Sequence, residues 1–231
     1  MKTNQFSSSR EVATEFDKWA ETGRGERMAK GHLFATQQLL QDLDINNKSV
    51  VLDAGCGIGW ILNDLIGSRI AQGIGIDISS EMITIASSKS TLEHISFLKA
   101  DTGNTNFEND MFSHIVCVES IYYNPQPLET LKEWLRISTP TGKLGLVIDL
   151  YEDNPASKYW MEALSLTVHN LSAKEWQNLL ISAGWKNVSY RRVSLPTQIT
   201  PNDFKASAYF PDYNIYQDYC KVGSLLVTGE K

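Results

Sequence analysis

Three acids stand at the ends of three apolar runs, and each is followed by small residues. Asp53 closes Val50-Val51-Leu52 and precedes Ala54-Gly55-Cys56-Gly57-Ile58-Gly59. Asp77 closes Gly73-Ile74-Gly75-Ile76, and Asp101 follows Phe97-Leu98-Lys99-Ala100 and precedes Thr102-Gly103. Glycine at 55 and 57 lets main chain approach a ligand where a Cβ would intrude. A carboxylate about twenty residues beyond such a loop, at the end of the next strand, can accept hydrogen bonds from a ribose diol. Asp77 has that place. Asp101, one strand further on, can accept from an exocyclic adenine amine. Asp53 can help to fix a cationic amino group, directly or through water. The chemistry these types suggest is retention of a nucleoside cofactor with a cationic end.

The spacing argues against two other ligands. The dinucleotide fingerprint is G-x-G-x-x-G with a pyrophosphate on a helix N-terminus. Here the spacing is G-x-G-x-G, and the acid in front of it would repel a pyrophosphate. No G-K-[ST] follows the loop, so a P-loop is excluded.

Strands and helices must alternate to bring these acids to one edge. Residues 11–20 carry Val12, Phe16 and Trp19 at helical spacing, and a second helix is expected from about 28 to 43, with Leu33, Leu39, Leu40 and Leu43 inward. Residues 1 to about 10 are polar and expected to be loose. A strand over 48–54 leads to a helix over 58–66. A strand ending at Asp77 leads to a serine-capped helix from Ser79. Further strands end at Asp101 and Glu119, the latter through the nearly continuous apolar run Ile115-Val116-Cys117-Val118. A helix over 127–137 precedes a strand that follows Pro140-Thr141-Gly142 and ends near Asp149. Helices over 156–164 and 172–181 precede the last two strands. Those are joined by a connection of about 196–221, with a short helix expected around 213–219. Such alternation implies right-handed crossovers and a parallel sheet, with an antiparallel last strand. The expected organisation is one domain over 1–231: a helical lid at 1–45 and a doubly wound α/β core at 46–231. Gly23, Gly25 and Gly31 are candidate hinges of the lid, with Arg24 and Arg27 among its residues.

Composition narrows the partners. The formal net charge is −6, which argues against the basic face that nucleic-acid binding uses. The three cysteines, Cys56, Cys117 and Cys220, form no C-x-x-C pair, so neither a zinc site nor a disulfide framework is expected. Free thiols and an N-terminus without an apolar signal core suggest a cytoplasmic chain. No apolar run is long enough to span a bilayer.

The set Asp53-Ala54-Gly55-Cys56-Gly57-Ile58-Gly59, then Asp77, then Asp101, resembles the class I S-adenosylmethionine-dependent methyltransferases over roughly residues 30–190 and the closing strand. It looks closest to the branch acting on quinones and other metabolites. The resemblance implies a Rossmann-like seven-stranded sheet of order 3-2-1-4-5-7-6 and S-adenosyl-L-methionine as cofactor. It implies that Gly55 and Gly57 line the methionine part, with Asp53 and Cys56 in the same loop. Asp77 would hold the ribose hydroxyls, Ile78 and Met82 would pack on the adenine faces, and Asp101 would accept from the adenine amine with the Thr102 backbone beside it. Glu119 would stand near the methionine amino end. One departure is Phe112-Ser113-His114, where the family often has an aspartate after an aromatic residue.

Candidate proton-transfer or orienting groups are His169, Glu119 and Tyr122. His169 lies in a segment that can reach the site mouth, and histidine titrates near neutrality. Tyr122 and Tyr123 can line an acceptor pocket. Asp149 orients an acceptor or caps a turn. His94 and His114 stand at strand starts, away from the acids, and read as structural, as do Cys56 and Cys117. The expected reaction is methyl transfer to N or O, with C open, of a small molecule, without metal, nucleic acid or membrane; a homodimer is one arrangement for the late insertion. The alternatives are a protein or RNA methyltransferase and a non-catalytic cofactor-binding module.

Overall fold

The computed structural model describes residues 6–231. The apolar runs form seven strands: β1 (Val50–Ala54), β2 (Gln72–Asp77), β3 (Ile95–Lys99), β4 (Phe112–Val118), β5 (Ser138–Ile148), β6 (Lys186–Val193) and β7 (Ser224–Glu230). They make one sheet in the order β3-β2-β1-β4-β5-β7-β6. The first five are parallel, and β7 runs antiparallel to both β5 and β6. This is the expected α/β architecture, Rossmann-like and doubly wound. The order reverses between β1 and β4, and such a reversal opens a crevice at the carboxyl ends of the strands.

Seven α-helices accompany the sheet among the described residues: α1 (Ser9–Glu21), α2 (Arg24–Asp42), α3 (Ser80–Lys89), α4 (Pro127–Ile137), α5 (Ser157–Ala163), α6 (Ala173–Ala183) and α7 (Tyr213–Val222). Their starts are written in local chemistry. Ser8 and Glu11 form a capping box on α1, as Ser172 and Glu175 do on α6. Ser79 caps α3 through the Met82 N–H, and Gly184 ends α6 in the left-handed conformation.

Alternation along the strands divides the core. Leu52, Ala54, Ile115, Cys117, Leu144 and Leu146 face one layer, with Trp134 of α4 and Trp176 of α6. Val51, Val116 and Val147 face the other, with Leu39 and Leu40 of α2. The period of two in side-chain direction thus sends each strand's apolar residues to both faces.

Several expectations are corrected. The helix expected over 58–66 is a π-helical segment at Ile61–Ile66. Gly55, Gly57 and Gly59 all hold positive φ (78°, 51° and 75°), so the chain cannot enter a right-handed helix before Trp60. The second helix starts at Arg24, and Leu33 is 37% exposed. Its inward stripe runs through Ala35, Thr36, Leu39, Leu40 and Leu43, and Leu33 lies about a quarter-turn off that stripe. The strand expected after Pro140-Thr141-Gly142 begins before it. Phe112 pairs with Ser138 but His114 pairs with Lys143, so the intervening part of β5 bulges from the ladder. The short helix near 213–219 is present and extends to Val222. The loose tip expected to about residue 10 yields to α1 from Ser9, and its residues 1–5 lie outside the described residues.

Trp134 links packing to the crevice. Its ring is fully buried, and its Nε1 donates to the Thr102 carbonyl beside Asp101, at 2.8 Å. Trp134→Phe should cost about 1 kcal/mol for the lost hydrogen bond. Trp134→Ala should cost about 3–5 kcal/mol through the cavity it leaves. Urea unfolding of the two variants separates the hydrogen bond from the packing.

Candidate active site

The glycine loop is held by main chain and by one carboxylate. The Gly55 and Cys56 N–H groups both donate to the Ile76 carbonyl, at 2.8 and 2.9 Å. Asp77 then accepts from the Gly57 N–H on Oδ2 and from the Ser79 N–H on Oδ1, each at 2.9 Å. The two glycines have different jobs. A Cβ on Gly55 would stand 2.0 Å from the Ser120 hydroxyl oxygen, so the fold needs that glycine. A Cβ on Gly57 would have no neighbour within 4 Å. The open space lies in a cavity.

Gly55, Cys56, Gly57, Asp77, Ile78, Met82, Asp101, Thr102 and Glu119 all line this first cavity. Asp53 does not. It is fully buried behind the loop, neither carboxylate oxygen has a hydrogen-bond partner, and burial together with the charge of Asp77 pushes its pKa up to about 8. Burial also lifts Asp77, against the N–H groups of Ser79, Gly57 and Ile78. The Cys56 thiol is pushed up by burial and by Asp53 and Asp77, which keeps it an unreactive thiol.

Helix α1 lies across the opening. Its Ser9 hydroxyl donates to Asp101 Oδ2 at 2.9 Å, while the Gly103 N–H donates to Oδ1 at 2.8 Å. Asp17 accepts from the Ser79 hydroxyl at 2.6 Å. Gly23, with φ 65°, makes the turn from α1 to α2. Gly25 permits close packing, since a Cβ there would stand 2.7 Å from Ile58 Cγ2.

A second cavity, of about 680 Å³, adjoins the first. Tyr122, Trp160, Tyr209, Phe210, Tyr216 and Tyr219 supply much of its wall, four of them from the insertion and α7. Trp19, Met28, His32, Glu119 and Tyr123 line both cavities.

That shared wall contains a buried polar network. Glu119 holds a left-handed φ of 55° and accepts from the Tyr122 hydroxyl at 2.7 Å and from the Asp149 N–H. Asp149 Oδ2 accepts from the Tyr219 hydroxyl and lies 3.2 Å from His32 Nδ1. Burial opposes a charge on His32, but Asp149 and Glu119 overcome it and raise its pKa to about 9. Burial and the charge of Asp149 push Glu119 up to about 7, against His32 and Tyr122. Asp149 is held down by His32 despite its burial. His32, Glu119 and Asp149 bring one ligand atom each within 4.8 Å of one another.

His32 was missed as a functional candidate by the sequence reading. The available signal was its register: it falls one turn before Thr36, on the same inward stripe as Ala35 and Leu39. Its partner, Asp149, arrives from a strand end over a hundred residues away, and no local pattern announces that pairing. His169, by contrast, lies outside both cavities. Its N–H donates to the Tyr122 carbonyl, its ring stacks on Phe6 at 3.7 Å between centroids, and burial lowers its pKa. The structure thus does not bring its ring to a cavity wall beside Glu119 and Tyr122. His94 bonds the Gly67 carbonyl, and His114 bonds Ser113 and the Leu43 carbonyl.

The first cavity suits a ligand with cationic and hydroxylated parts. Asp77, Asp101 and Glu119 line it, the unpartnered Asp53 stands behind its loop, and Gly57 leaves room for the ligand's approach. No lysine or arginine is among its described lining residues, so nothing there would neutralise a pyrophosphate. These residues fit S-adenosylmethionine.

The comparisons agree. Residues 52–146 match a family model described as a methyltransferase domain. The chain is 29% identical over 126 residues to methyltransferase GfsG of Streptomyces halstedii, covering 53% of this chain and 43% of that protein. It is 26% identical over 156 residues to the chloroplastic 2-methyl-6-phytyl-1,4-hydroquinone methyltransferase of Spinacia oleracea, covering 67% and 44%. The chain thus spans less than half the length of either curated relative. A chain in the structure of the complex between the Haloferax volcanii Trm112 methyltransferase activator and the putative methyltransferase superposes with a TM-score of 0.85 at 29% identity, covering 94% and 97%. Residues 52–146 are therefore a methyltransferase domain with S-adenosylmethionine as its cofactor, and the likeness to a methyltransferase of known structure extends across the chain.

Two predictions test the site. Gly57→Ala should keep the fold, at about 1–2 kcal/mol for a left-handed alanine, and weaken S-adenosylhomocysteine binding at least about tenfold. Gly55→Ala should instead abolish the soluble folded protein. Thermal melts and calorimetric titration distinguish them. The second concerns Asp53, whose folded pKa exceeds its unfolded one, so its burial destabilises the protein increasingly as pH rises from the ordinary carboxylate range towards about 8. The ligand-free Asp53→Asn variant should match the parent's melting temperature near pH 4. It should exceed it by a margin that grows with pH and levels off above about 8.

Proposed function

We propose that this protein transfers the methyl group of S-adenosylmethionine to an N or O nucleophile of a small-molecule metabolite, with a C nucleophile open. The observation that carries this reading is the second cavity, about 680 Å³ in size, aromatic-walled and joined to the glycine-loop cavity at Glu119 and His32. That volume falls in the range of small-ligand sites. The quinol-methylating relative from spinach is consistent with such an acceptor.

The cofactor, when bound, supplies an activated methyl group on a sulfonium. This chain's residues do the rest. Asp77 accepts from ribose hydroxyls, Ile78 and Met82 flank the adenine, and Asp101 accepts its amine once α1 releases Ser9. Asp53, Gly55, Cys56, Gly57 and Thr102 shape the cofactor's bed. Glu119, steadied by Tyr122, faces both ligands. The aromatic wall excludes water and fixes the acceptor in line with the methyl group. Helices α1 and α2 form a lid that opens for exchange.

A second reading is methylation within a protein assembly. The Haloferax volcanii structure favours it, being described as a complex with a methyltransferase activator. The sheet also leaves the edges of β3 and β6 without a strand neighbour among the described residues.

Methyl-labelled S-adenosylmethionine, incubated with the protein and a cell extract and then fractionated by size, tests both. Label should appear in small molecules and vanish with Asp77→Ala. Label in protein or RNA would favour the second reading. No cofactor binding at all would overturn the site assignment.

A further inference from the structure

The shared wall between the cavities carries acid–base groups that cofactor binding alone does not call for. Glu119 and His32 both line the two cavities, and they bring opposite hydrogen-bonding roles to one place. An ionised carboxylate only accepts, and a protonated imidazole only donates. Asp149 is sealed at 0% exposure and takes the Nδ1 side of His32, which leaves Nε2 as the ring's other polar atom. Tyr122 and the Asp149 N–H hold Glu119 in place, and Tyr219 holds Asp149.

We propose that this wall selects a hydroxyl group on an aromatic or apolar scaffold as the methyl acceptor, with Glu119 taking the hydroxyl proton and the His32–Asp149 pair donating a hydrogen bond to the same oxygen. The inference rests on the methyl-transfer reading and names its acceptor. Valence decides between oxygen and nitrogen. A hydroxyl oxygen has two lone pairs, so one can attack the methyl carbon while the other accepts from His32 and the proton points to Glu119. A neutral amine has one lone pair. If that pair attacks, the His32 donor is left without a partner in a buried wall, which is how a polar site rejects the wrong group.

The step balances. The oxygen lone pair forms the O–CH₃ bond, the C–S pair stays on sulfur in a neutral thioether, and the O–H proton ends on the Glu119 carboxylate. The proton returns to water when product leaves the second cavity. Glu119 has a pKa about 7, which suits a proton acceptor at neutral pH. The groups around the pair are Asp149 at the end of β5, Tyr122 and Tyr123 after β4, Tyr219 of α7 and Ser224 of β7. Arg24 and Arg27 line the second cavity from the start of α2.

The test offers two isosteric probes, 2-naphthol and 2-naphthylamine, as methyl acceptors to the full chain saturated with methyl-labelled S-adenosylmethionine at pH 8. Naphthol should be methylated at least about tenfold faster. The ratio should fall as pH drops through about 7 and Glu119 gains its proton. Glu119→Gln and His32→Gln should each bring it to within about threefold, with melting curves confirming the fold. Equal or faster methylation of the amine by the parent protein overturns the proposal, whatever the variants do. So does a preference that survives both substitutions. Stoichiometric Mn²⁺ binding that Glu119→Gln removes would also overturn it, since the cluster would then be a metal centre. Failure of S-adenosylhomocysteine to bind the parent protein would defeat the methyl-transfer reading instead.

Discussion

The carboxyl edge of the sheet depends on a single side chain, Asp77. One oxygen holds the Gly57 N–H of the loop after β1, and the other holds the Ser79 N–H that opens α3. The two crossovers are thereby fixed relative to each other at the point where a ligand must lie. Gly55 fits against Ser120 only because it lacks a Cβ, which sets the loop against the end of β4 as well. Three strand ends are so registered by one carboxylate and one missing side chain. The fold has little freedom to misplace the cavity without losing these contacts.

Charge is the second constraint. Asp53, Asp77, Glu119 and Asp149 are all buried, and His32 is the basic side chain that answers Asp149 and Glu119. Burying carboxylates without partners destabilises a fold, and Asp53 has no hydrogen-bond partner at all. A protein tolerates such groups where a ligand repays them. Two of the raised carboxylates, Asp77 and Glu119, line a cavity, and Asp53 stands behind the loop of the first, as perturbed groups do at functional sites generally. No described helix is long and apolar enough to cross a membrane.

Much of this was legible in the sequence, for local reasons. Acids at strand ends followed by glycine and serine declared the cofactor edge, because backbone approach and capping are short-range requirements. Alternating strands and helices declared the sheet. The errors came where one local signal competed with another. The apolar run from Ile58 looked helical, but left-handed glycines delayed the turn. Leu33 looked internal by composition, but register turned it outward. His32 and Asp149 were unreadable as a pair, since only the packing of α2 against the end of β5 unites them. His169 had suitable chemistry but no anchor in sequence to place it, and Phe6 and the Tyr122 carbonyl hold it elsewhere.

The contact between Ser9 and Asp101 has a consequence for binding thermodynamics. Any ligand that donates to Asp101 Oδ2 meets a hydroxyl already bonded there and carried by the same chain. Where the ligand takes the lone pair that Ser9 uses, helix α1 is a tethered competitor, present at a fixed effective concentration that dilution cannot lower. The measured affinity is the intrinsic affinity multiplied by the fraction of molecules in which α1 stands aside. Changes at the solvent-facing side of α1, remote from every ligand atom, would then tune affinity through that fraction alone.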